Sequence, residues 1–118
     1  MTKRIDALLP AEQISASGNG DALDVRDLEG EVTLVLSAAA PPAPDNTLDV
    51  TLEQSDDGTA WSPVSGVTFE QVTNAAASHQ EVAVNVDGLS RYLRANDALA
   101  GTSPVATRCL LLMGEAKY

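Results

Sequence analysis

From residue 12 onward, apolar residues recur at alternate positions, the period of a half-buried strand. Val32, Leu34 and Leu36 alternate with Thr33 and Val35. Leu48, Val50 and Leu52 alternate with Asp49, Thr51 and Glu53, and Val82, Val84 and Val86 repeat the pattern. Further strands are predicted over 13–17, 22–25, 67–72, 91–96 and 105–113, the last apolar on both faces towards its end. Gly18-Asn19-Gly20-Asp21 reads as a hairpin turn between 13–17 and 22–25, because Asn and Gly tolerate positive φ. Ser55-Asp56-Asp57-Gly58, Asp87-Gly88 and Ala100-Gly101-Thr102-Ser103-Pro104 read as further turns, and Pro41-Pro42-Ala43-Pro44 as a loop.

No stretch of 12–118 keeps a helical period. About eight short strands joined by such turns predict an all-β fold, a single antiparallel β-sandwich that is jelly-roll-like. Residues 1–11 have no clear period and end near Pro10, so they are expected to form a short N-terminal arm ahead of the 12–118 domain.

Charge changes this picture. Seven Lys and Arg stand against 17 Asp and Glu, a net charge of −10 that disfavours contact with phosphate backbones and hence nucleic acid as a partner. The excess is uneven: residues 1–90 carry 3 basic and 15 acidic side chains, and residues 91–118 carry 4 and 2. Two readings follow, a solvated acidic surface or electrostatic complementarity with a neighbouring subunit. Aromatics make up only 3% of the chain (Trp61, Phe69, Tyr92 and Tyr118), which leaves few platforms for stacking sugars or bases. No apolar run approaches a membrane span, so no membrane is expected as a partner. The free Cys109 and the lack of a leader-like segment fit synthesis in a reducing cytoplasm.

Candidate chemistry is sparse. A Ser-His-Asp or Cys-His set must use His79, the one histidine, which lies in a polar approach to a strand. Cys109 has no neighbour in sequence that would lower its pKa. The adjacent acids of the Asp56-Asp57-Gly58 turn diverge and do not build a glycosidase pair or an EF-hand loop. Catalytic, metal-binding and cofactor-binding residues are therefore expected to be absent. Arg91, Arg94 and Arg108 either pair with the chain's own acids or reach a partner. The odd spacing of Arg91 and Arg94 would turn them to opposite sides of a strand.

Three stretches in order carry a resemblance. Thr47 to Gly58, with its Ser-Asp-Asp-Gly turn, continues through Trp61-Ser62-Pro63-Val64 to Thr73; Arg91-Tyr92-Leu93-Arg94-Ala95 and Leu99-Ala100-Gly101-Thr102-Ser103-Pro104 follow. Over roughly residues 13–114 this order resembles the head decoration (cement) or minor head proteins of tailed bacteriophages and gene transfer agents. The resemblance implies a non-enzymatic virion structural protein, made in the bacterial cytoplasm and located on the outer capsid surface. There it would bridge subunits of the major capsid protein and stabilise the shell, as a homo-oligomer with a trimer favoured. Ile5, Leu8 and Leu9 of the arm, with Arg91 and Arg94, are the expected partner interface. The alternatives are a head-spike base, collar or tail role in the same virion, and a carbohydrate-binding or adhesion module built around an exposed Trp61.

Overall fold

The computed structural model describes residues 2–117; Met1 of the expected arm and the aromatic Tyr118 lie outside them. Ten β segments occur: β1 (Thr2–Ile14), β2 (Gly18–Asn19), β3 (Leu23–Asp24), β4 (Leu28–Ala38), β5 (Thr47–Ser55), β6 (Ser62–Pro63), β7 (Val72–Thr73), β8 (Ser78–Asn85), β9 (Tyr92–Ala100) and β10 (Ala106–Ala116). A 3-10 turn at Val86–Gly88 joins β8 to β9, its entry capped by the Asn85 side chain, which accepts from the Asp87 N–H.

The segments form two antiparallel sheets, β1-β10-β4-β8 and β2-β9-β5-β6, with β3 also on β9 and β7 also on β5. Because β2 and β3 share one partner, and β6 and β7 another, the ten segments fill eight strand positions. The pairs are nested: first with last (β1 on β10), then β2 and β3 on β9, β4 on β8, and β5 on β6 and β7. Strands wrapped as nested pairs and folded over into two sheets make a jelly roll, in agreement with the alternation in the sequence.

The core lies between the sheets and is dominated by leucine. Leu34, Leu36, Leu110 and Leu112 of the first sheet meet Leu48, Leu52 and Leu93 of the second, all at most 2% exposed. Alternate positions on β4, β5 and β9 face this interior, the period-2 geometry of a pleated strand.

Three expectations are corrected. The expected arm is a 13-residue edge strand, in register with β10 from Thr2↔Ala116 to Ile14↔Ala106. Register shifts between Ala7 and Leu9, and between Leu9 and Glu12, mark bulges. A bulge lets consecutive residues face the same side, which is how Leu8 and Leu9 both enter the core and why the segment shows no simple period. Pro10 fits there because edge strands and bulges tolerate a missing N–H.

Gly18 to Asp21 is not a hairpin. Gly18 and Asn19 pair with Asp97 and Asn96, Gly20 donates its N–H to the Ala95 carbonyl, and the chain continues into β3 along the same strand. Gly20 is needed for proximity: a Cβ there would collide with the Leu8 carbonyl of β1. Finally, residues 67–71 are irregular, although Phe69 is buried. The side chain of Gln80 stands in for a strand at this point, accepting from the Glu70 N–H (2.7 Å) and donating to its carbonyl (3.0 Å).

Candidate functional site

The two outer sheet faces differ in chemistry. On the second sheet several outward side chains are polar and paired with one another. Arg94 lies opposite Glu53 in register and binds it at 2.8 Å, with its guanidinium 4.3 Å from the centre of the Trp61 ring. Asn96 donates to Asn19 at 2.7 Å, and Gln71 to Asp49 at 2.9 Å.

The first sheet presents an apolar centre instead. Ile5 and Met113, the large hydrophobic side chains exposed among the described residues (65% and 39%), are cross-strand neighbours. The row continues to Thr33 and Ala83. The next row runs from Ala7 through Leu111 and Val35 to Glu81. An antiparallel sheet with one solvated face normally alternates apolar inward and polar outward. Here β10 and β4 depart from that rule over the centre of the face.

Beside this centre, towards the start of β4, lies a depression of about 410 Å³. Ile5, Thr33 and Met113 line it together with Glu29, Glu31 and Glu115 and the cations Lys3 and Arg4. A bulge in β4 interrupts the ladder here, where residues 30–32 lie opposite Gly114 alone. Gly114 fits because a Cβ would press on Val32. Glu29 sits directly opposite Glu115 in register, an unfavourable like-charge pairing.

The expected interface residues are thus divided. Ile5 is exposed on the first sheet, while Leu8 and Leu9 are buried in the core. Arg91 binds Asp24 at 3.0 Å, and Arg94 belongs to the Glu53–Trp61 cluster. These two basic side chains of the C-terminal quarter therefore meet acids from earlier in this same chain. Asp24 illustrates the balance: burial pushes its pKa up, but the Arg26 N–H and the Arg91 guanidinium outweigh this and hold it below the usual range. Arg108 is buried and reaches Asp97 between the sheets.

His79 lies on the outer face of the first sheet. Its Nδ1 is 3.1 Å from the Ser37 hydroxyl and its Nε2 3.8 Å from Glu81. Ser37 and His79 are paired ladder residues of β4 and the edge strand β8. Among the described residues, no group of three His, Cys, Asp or Glu side chains is placed to hold a metal ion, and no helix is long and apolar enough to cross a membrane.

Met113, Leu111, Val35 and the glutamates near them were not singled out from the sequence. Their signal was present in the final strand, apolar on both faces, but strand adjacency was needed to join it to Ile5 and Val35.

No family model and no curated protein matches the chain. Among solved structures, it is similar in fold to the SPBc2 prophage-derived protein YomS, with a TM-score of 0.57 and 10% identity over 96% of this chain and 94% of that one.

Proposed function

We propose that this chain is a non-enzymatic structural protein of a phage or phage-derived particle, and within that class a head decoration protein. It binds the outside of the shell and bridges subunits of the major capsid protein. The observation that carries the reading is the jelly roll shared, over nearly the full length of both chains, with a prophage-derived protein. The contrast between the two outer faces supports it. One face carries paired polar side chains, and the other has an exposed apolar centre, as a surface made to meet another protein would.

A closed homo-oligomer, a trimer first, suits a shell because cyclic symmetry matches the axes of a lattice. A spike-base, collar or tail position in the same particle is the alternative, and a ring of higher order would favour the neck or tail. The glycan-binding reading needs a free aromatic platform, and Arg94 stacks over the Trp61 ring.

The test is density-gradient sedimentation of the purified protein with empty shells from its own source. Co-sedimentation at fixed stoichiometry supports decoration. A folded oligomer that stays at the top of the gradient rejects it and favours the neck or tail.

A further inference from the structure

We propose that the outer face of the β1-β10-β4-β8 sheet docks a protein surface with apolar side chains bordered by lysine or arginine, and that Glu29, Glu31 and Glu115 receive its basic groups. The inference rests on the shell-binding reading and specifies the face and the chemistry of the partner.

Three observations converge. Ile5 and Met113 are exposed and adjacent, and they are flanked by Leu111 and Val35 on the two central strands. A lone exposed apolar side chain needs no explanation, but a cluster across three strands does. Second, the 410 Å³ depression is lined by Ile5, Met113 and Thr33 and by three carboxylates against two cations, Lys3 and Arg4, of which Arg4 is paired with Asp6. That combination suits a long basic side chain, whose methylene stem is apolar and whose head is charged.

Third, the charges here are unbalanced within the chain. The arginines are paired: Arg4 with Asp6, Arg26 and Arg91 with Asp24, Arg94 with Glu53, and Arg108 with Asp97. Glu29, Glu31 and Glu115 form no ion pair among the described residues. Lys3 stands opposite Glu115 in register but forms no ion pair with it among the described residues. Glu29 opposite Glu115 costs stability in the free chain, and a partner's cation relieves that cost on binding. A second copy of this chain fits less well, since it would bring a net charge of −10 to a face already bordered by carboxylates.

The test compares three full-length variants with the wild type in the sedimentation assay. Met113→Glu alters the apolar centre, a Glu29→Lys/Glu115→Lys double variant reverses the border, and Thr51→Glu alters the outer face of the other sheet. Thermal unfolding confirms that each is folded. We expect the first two to bind shells at least about tenfold more weakly, a loss of about 1.4 kcal/mol, and Thr51→Glu to bind as the wild type does. If the wild type binds and the first two variants bind equally well, the inference is overturned while the shell-binding reading stands.

If the wild type does not bind shells, the reading fails and the face is probed directly. A synthetic peptide alternating Lys and Leu is titrated while backbone amide shifts are followed, with a Glu-Leu peptide as control. Saturable shifts confined to β1, β10 and β4 and lost in Met113→Glu support the inference. Equal shifts with both peptides, no shifts, or a self-dimer abolished by Met113→Glu would overturn it.

Discussion

Arg108 and Asp97 join the two sheets through the interior. Arg108 projects from β10 and Asp97 from β9; both side chains are 4% exposed, with Nε and Nη2 donating to the carboxylate at 3.0 and 2.6 Å. Nη1 donates at 2.7 Å to the carbonyl of Pro10, so the same side chain also anchors the edge strand β1. Burial lowers the pKa of Arg108, but the hydrogen bonds and charge of Asp97 outweigh it and raise the pKa above its ordinary value. Removing one partner strands a buried charge. Asp97→Ala is therefore expected to lose about 3–5 kcal/mol in urea unfolding, whereas Arg108→Met/Asp97→Leu should recover to within about 1 kcal/mol of the wild type. Equal losses in the single and double variants would show that the pair does not act as a unit.

Gly20 tests how closely β1 lies against the second sheet. Gly20→Ala places a methyl on the Leu8 carbonyl, and backbone yields less readily than a side chain. The expected loss is about 1–3 kcal/mol, measured by chemical denaturation. Gly18→Ala, where a Cβ meets nothing within 4 Å, should be nearly neutral.

Asp57 ties the turn after β5. It accepts from the N–H groups of Thr59 (2.9 Å) and Ala60 (3.1 Å) and from the Ser55 hydroxyl (3.0 Å), bonds that hold its carboxyl far below the usual carboxylate range. A depressed pKa contributes stability that is complete above the unfolded value, about 4, and is lost as pH falls through the folded one. Melting temperatures of the wild type and Asp57→Asn should therefore differ most at pH 6 and converge as the pH falls below about 4. A gap that stayed constant down to pH 2 would contradict this account.

Deleting residues 2–11 removes the edge strand together with Leu8 and Leu9, which are 1% and 0% exposed. Each buried leucine contributes about 1.5–3 kcal/mol, so the truncated chain is expected to lose its cooperative thermal transition. Calorimetry showing a wild-type-like transition would return the segment to the status of an arm.

The architecture was legible because period-2 runs such as Leu48 to Leu52 and Val32 to Leu36 are both strand and core signals. What failed to show did so for identifiable reasons. The bulges of β1 broke the alternation that would have marked it as a strand. Asn19-Gly20 carries a strong turn signal, but a glycine demanded by a close backbone approach looks the same in sequence as one demanded by a turn. The exposed face is assembled from Ile5, Val35 and Met113, which are far apart in the chain, so no local pattern could gather it.

The nested pairing also orders events in time. β10 lies between β1 and β4 in the first sheet. That sheet therefore cannot close until residues 106–116 have left the ribosome, and its first pair joins positions 2 and 116. Contacts of such long range form slowly, because a large loop must be closed before they repay its entropy. A nascent chain meanwhile presents the β10-facing edges of β1 and β4 unpaired, so the fold should appear all at once when β10 emerges, with chaperone dependence concentrated before that point.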